Sequence, residues 1–204
     1  MINQPYIILD FETTGLSAHF DRAIEVGALK VRPNGKLERF VSFIKPDVSL
    51  SPTIIALTGI TPADLENAPS SAAVFSMLAD FVGELPIFAH NAAFDSKFFK
   101  QEMKRIGRSG DNLFLCSLTL TRRLFPKLPA YNLEDLCLNF NIKNVQAHRA
   151  LADVEATFGL LNKIFDQINQ QSGRIELEIG FIQEILNTPP ERIERVMSRE
   201  LSLF

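Results

Sequence analysis

The apolar and polar positions divide the chain into two kinds of run. Tyr6 to Phe11 (YIILDF) is a β-branched and apolar stretch ending in Glu12-Thr13-Thr14-Gly15, which reads as a buried strand entering a turn. Ala23 to Val31 and Leu37 to Lys45 follow with Pro33-Asn34-Gly35 between them, so they form a hairpin. Residues 46–69 are rich in Pro, Ser and Thr, and Ile54-Ile55-Ala56-Leu57 is the apolar segment expected to pack that excursion down. Ser70 to Gly83 then shows helical spacing, with Val74, Leu78, Phe81 and Val82 on one face. Leu85 to Asn91 is the next strand, and Asp95 to Gly107 a helix with Phe98, Phe99, Met103 and Ile106 facing inward.

A strand around Leu113 to Cys116 precedes helices at Leu118 to Phe125, Leu133 to Phe140 and about Ala150 to Ile168; the last carries Val154, Phe158, Leu161 and Phe165 at helical spacing. Strands first and helices interleaved later predict an α/β domain over residues 1–168, with a mixed central sheet flanked by helices. Residues 169–204 read as a helical tail. Ile175, Ile179, Ile182 and Leu186 make one stripe, and Pro189-Pro190 opens a second segment with Ile193, Val196, Met197 and Leu201.

Composition narrows this picture. With 46% hydrophobic and 22% charged residues and 17 Phe, the 204-residue chain suits a soluble globule with a sizeable core. No run approaches the roughly 20 apolar residues of a membrane span, and Met1 to Pro5 lacks a leader pattern, so a cytoplasmic protein away from membranes is expected. Cys116 and Cys137 read as buried small hydrophobes, too few for a disulfide framework or a zinc ribbon. The formal net charge of −3 argues against a protein that coats nucleic acid. It leaves room for an enzyme that grips a strand end, where a carboxylate pocket holds cations. Basic residues cluster at Lys97, Lys100, Lys104, Arg105 and Arg108 and again at Arg122, Arg123 and Lys127, and both clusters read as solvated faces.

Candidate chemistry sits at three places. Asp10 and Glu12, two apart on a strand, project to one face, and a bound cation is the economical reason to keep two repelling carboxylates there. Thr13-Thr14-Gly15 turns the chain, with Gly15 free to take a positive φ and present the backbone to a ligand. Asp95 stands near a helix start after His90 and Asn91; if its strand runs parallel beside the first, Asp95 reaches the same edge as Asp10. Asn91 is a candidate for touching substrate or capping the helix, and His90 reads as a packed strand-end residue. His148 and Asp153, five apart, would diverge by roughly 140° on one helix. They serve one site only if His148 lies on the loop before it.

The segments Asp10-Phe11-Glu12-Thr13-Thr14-Gly15, His90-Asn91-Ala92-Ala93-Phe94-Asp95 and His148-Arg149-Ala150-Leu151-Ala152-Asp153 resemble, in order and spacing, the three motifs of the DnaQ-like DEDDh exonucleases. That family includes the proofreading epsilon subunit of bacterial DNA polymerase III, and the likeness covers roughly residues 5–166. It implies a ribonuclease H-like fold and 3′→5′ hydrolysis of single-stranded DNA, in proofreading or repair, with RNA 3′ ends as the alternative substrate. It also implies two divalent cations, Mg²⁺ or Mn²⁺. By resemblance Asp10 bridges both ions, Glu12 and Asp153 complete one ion's site, Asp95 holds the other mainly through water, and His148 is the general base. A sister class uses Tyr and Asp four apart, as Tyr131 and Asp135 stand; Tyr131 and Asn132 read instead as a helix start. The family pattern further implies that Leu57 and Thr58 line the terminal-nucleotide pocket, Thr58 standing where many relatives have histidine. The last residues, Glu200-Leu201-Ser202-Leu203-Phe204, resemble the clamp-binding pentapeptide of bacterial replication proteins, with Glu200 in place of the usual Gln. Leu201, Leu203 and Phe204 are therefore candidate contacts to a sliding clamp, and a DNA polymerase is the other candidate protein partner.

Overall fold

The computed structural model of the chain describes residues 2–144 and 148–199. Strands β1 (Tyr6–Thr13), β2 (Ala23–Val31), β3 (Leu37–Phe43), β4 (Ile87–Ala89) and β5 (Phe114–Cys116) make one sheet in the order β3-β2-β1-β4-β5. β1, β2 and β3 are antiparallel neighbours, whereas β4 and β5 run parallel to β1. The carboxyl ends of β1 and β4 and the amino end of β2 therefore meet at one edge. There Glu12 lies opposite Glu25 and Asp10 opposite Gly27.

Strand alternation assigns β1 side chains to two cores. Ile7, Leu9 and Phe11 pack with Val74, Phe75 and Leu78 of α3 (Ser71–Val82) and with Phe98, Phe99 and Met103 of α4 (Ala92–Arg105). Tyr6 and Ile8 pack on the other face with α5 (Ser117–Leu124), α6 (Leu133–Phe140), α7 (Ala150–Ser172), α8 (Ile179–Asn187) and α9 (Ile193–Met197). The same period of two turns Asp10 and Glu12 toward the α7 side. α7 packs on β1 and β2 and comes unusually close at Gly27, where an added Cβ would stand 2.5 Å from the carbonyl carbon of Ala150.

Three expectations from the pattern shift. In residues 46–69, Ile60 and Leu65 close over Ile24 in a small core, while Leu57, in the first of two short helices, α1 (Pro52–Thr58) and α2 (Pro62–Leu65), stays 52% exposed. Ile175 is 87% exposed and Leu177 is buried in its place. Gly173, at φ 69°, ends α7, and Leu177 bridges to Ile2, so this stretch is governed by strand-like alternation rather than the 3.6 period. Cys137 is buried, but Cys116 is only partly so. Ile193, Val196 and Met197 are buried as the second tail stripe requires. Glu200 to Phe204, including Leu201, Leu203 and Phe204, lie outside the described residues. Among the described residues no helix is long and apolar enough to cross a membrane.

Candidate active site

β4 pairs with β1 only at Ile7 and Ile8, so the rest of β1 runs on past it. Asp95, in the first turn of α4, fills that place: the residue is 2% exposed and its carboxylate accepts the Phe11 N–H at 3.3 Å. From the opposite face α7 brings Asp153, and the loop before α7 brings His148, which adopts φ 63°. The Asp153 carboxylate accepts the His148 N–H at 3.1 Å and the Asn144 amide at 3.1 Å. Donor atoms of Glu12, His148 and Asp153 lie within 4.8 Å of one another. The requirement that His148 sit off the helix bearing Asp153 is met.

Burial is the largest cause that holds the Asp10 carboxyl well above its ordinary range, and Asp95, Asp153, Glu12 and Glu25 push it the same way. Burial also lifts Glu12 to about 7, helped by Asp153 and Glu25 and opposed by Arg149. Asp95 is raised by burial against two backbone N–H groups that favour its anion, and Asp153 by burial against the Asn144 and His148 hydrogen bonds. Four carboxyls raised together mark a site short of positive charge. Oxygen donors with one imidazole suit a hard divalent cation such as Mg²⁺ or Mn²⁺.

The sequence profile of the exonuclease family matches residues 7–161, a span that contains all five of these residues. The chain belongs to the exonuclease family. DNA polymerase III PolC-type of Bacillus cereus is 38% identical over 186 residues, which cover 85% of this chain and 13% of that protein. The Bacillus subtilis counterpart is 36% identical over 184 residues, covering 84% and 13%. E. coli exonuclease I in complex with a dT13 oligonucleotide superposes with a TM-score of 0.69 at 23% identity, covering 83% of this chain and 44% of that one. A zinc-ion-bound exonuclease I complex with single-stranded DNA gives 0.71 at 24%, covering 83% and 43%. The ribonuclease H-like fold of the DnaQ-like exonucleases is thus shared, while this chain spans only 13% of the length of those polymerases.

One part of this candidate site has no counterpart in the sequence motifs. Glu25, 3% exposed, accepts hydrogen bonds from the Arg149 guanidinium, the shortest at 2.8 Å, and from the Ala150 N–H at 3.0 Å. Arg149 lies at the N-cap of α7 without a side-chain cap, so a carboxylate from β2 caps the helix instead. The same guanidinium stacks over Phe43 at 5.2 Å. A lone Glu in the otherwise apolar AIEVGAL run was the available signal. Glu25→Gln is expected to raise the magnesium concentration for half-maximal nuclease activity about tenfold, because Asp153 and His148 depend on where α7 begins. An unchanged magnesium titration would show that α7 is placed without it.

Gly15 does not take a positive φ; it is glycine because an added Cβ would lie 2.6 Å from the Asp21 carboxyl group. Thr13 donates to the Gly15 carbonyl at 2.7 Å, and the Thr14 hydroxyl is engaged by Asp21 and the Arg22 N–H. Asn91 is exposed at φ 64° and makes no side-chain cap bond, so its conformation rather than its amide starts α4. Leu57 is exposed, while Thr58 is buried with its hydroxyl between the Ile54 carbonyl and the Ile60 N–H. His90 bonds Ser117 and the Tyr131 carbonyl, and burial lowers its pKa. Tyr131 donates to the Phe125 carbonyl and Asn132 caps α6, as their reading as a helix start requires.

Proposed function

We propose that this exonuclease domain removes nucleoside monophosphates from the 3′ end of single-stranded DNA with two divalent cations. The observation that carries the reading is the convergence of Asp10, Glu12, Asp95 and Asp153 with raised pKa values, beside His148, at one sheet edge. Asp10, Glu12 and Asp153 would hold the cations directly, and Asp95, tied to Phe11, would act mainly through water. When bound, the cations supply the charge that acidifies the attacking water and stabilises the leaving 3′-oxygen. His148, exposed on its loop, takes the proton of that water on an imidazole nitrogen. Exonuclease I, whose fold this chain shares, has been seen with single-stranded DNA oligonucleotides, and the polymerase relatives suit proofreading or repair.

A magnesium-dependent assay on 5′-labelled and 3′-labelled DNA, with matched RNA, tests this. The 5′ label should pass through a ladder of single-nucleotide steps and the 3′ label should appear at once as mononucleotide, with RNA turned over at least about tenfold more slowly. Immediate release of the 5′ label overturns the polarity. Faster turnover of RNA replaces DNA as substrate, and no turnover of either leaves a non-catalytic scaffold.

A further inference from the structure

The face of α4 turned from the sheet carries Lys97, Lys100 and Lys104, all exposed. At 100° per residue they fall within roughly 60° of one another, opposite the buried stripe of Phe98, Phe99 and Met103. Among the described residues none of the three is in an ion pair, within a chain of net charge −3. They border a groove of about 600 Å³ whose other wall is the β1–β2 loop at Leu16 and His19.

That loop is tied down. The Asp21 carboxylate accepts from the Ser17 N–H at 2.9 Å and from the Thr14 hydroxyl at 3.2 Å. Arg105, paired with buried Glu102, reaches across from α4 to the Ala18 and His19 carbonyls at 3.1 and 3.2 Å. On this anchored loop Leu16 is 87% and Phe20 75% exposed, and Phe20 meets the His19 ring edge-on at 4.7 Å. A solvent-facing Phe20 ring against His19, which lines the groove with the row of unpaired lysines, is complementary to a polyanion with flat apolar faces. The loop leaves β1 after Thr13, the residue that follows Glu12, and α4 carries Asp95 in its first turn, so both walls of the groove belong to elements that also carry carboxylates of the candidate site.

We propose that this groove is the track for the single strand upstream of the 3′-terminal nucleotide, phosphates lying along Lys97, Lys100 and Lys104 and bases stacking on Phe20 and His19. The proposal rests on the exonuclease reading above and extends it to substrate length. Lys97 and Lys104 are about 10.5 Å apart along the helix axis, room for two or three phosphates.

The test compares the full chain with a Lys97→Ala/Lys100→Ala/Lys104→Ala variant and with Phe20→Ala on dT3, dT15 and the p-nitrophenyl ester of thymidine 5′-monophosphate, which is too short to enter the groove. In the wild type KM should fall from dT3 to dT15. The lysine variant should lose this gain, with KM for dT15 raised about tenfold or more and the slope of log KM against log salt reduced by about 2. Its kcat on the small ester and its Tm should stay as in the wild type. Phe20→Ala should raise KM for dT15 about fivefold or more without changing the salt slope. Wild-type KM and salt slope in the lysine variant would overturn the track, as would an equal loss on the small ester and dT15. If the wild type fails on the small ester and dT15 alike, the exonuclease reading has failed instead. Anisotropy of labelled dT15 in EDTA then still decides the groove, equal affinities of wild type and lysine variant overturning it.

Discussion

Asp10→Asn should lower nucleotide release by about 10³-fold or more and at the same time make the metal-free chain harder to unfold. The activity loss follows from the position of Asp10, whose carboxylate interacts with Asp95, Asp153 and Glu12 together. The stability gain follows from the same repulsion. All four carboxyls are raised in the folded chain above their unfolded values of about 4. The folded state therefore binds more protons than the unfolded state from about pH 4 up to at least the Glu12 value of about 7. Stability present below that window is lost as pH rises through it. In EDTA, the Tm of the wild type should decline between pH 5 and pH 8, and magnesium should recover it far more at pH 8 than at pH 5, since cation binding displaces those protons. Asp10→Asn should flatten the decline and blunt the response to magnesium. A thermal-melt series over pH, with and without magnesium, checks both; a flat wild-type profile in EDTA would contradict the charge-deficient site.

Gly27→Ala is the second large effect, expected to cost about 3 kcal/mol or more of stability and most of the activity of the chain that remains folded. The added methyl would lie 2.5, 2.6 and 2.7 Å from the Ala150 carbonyl carbon, its oxygen and the Leu151 nitrogen. These are backbone atoms at the start of α7, so no rotamer change relieves the clash. The helix has to lift off β2. That lift stretches the bond from Ala150 to Glu25 and carries Asp153 away from Glu12. Urea unfolding gives the stability change, and the magnesium titration of the remaining activity gives the displacement of Asp153. If both match the wild type, the close approach of α7 is not needed. Gly159 makes a useful comparison, because an added Cβ would there meet the end of the Ile142 side chain, at 2.8 Å, which has rotamers to yield.

Much of the site was legible because its members lie in short local motifs. Asp10 and Glu12 share a face through the strand period alone, and the need for His148 to leave the helix of Asp153 followed from the helix period alone. Those constraints are local and survive into the fold. The same is true of the strand and helix sequence, where the hairpin β2–β3 and helices α3 to α7 lie close to where periodicity put them.

Local periodicity is enough to say which elements form, which of their faces are apolar and which residues are candidates for the chemistry. How they meet is set by packing between elements. Glu25 capping α7 from 125 positions away, Gly27 as the seat of that helix, Arg105 tying α4 to the β1–β2 loop, and Leu177 rather than Ile175 in the core are contacts between elements distant in sequence. No period within one segment records them. Periodicity fixes a side chain's direction relative to its own backbone, whereas electrostatic satisfaction and close packing depend on what another segment brings into the same few ångströms. At the carboxylate edge this division is concrete: the carboxylates were readable from Asp10 to Asp153, but the β2 residues that hold α7 against them became visible only once β1, β2 and α7 were packed together.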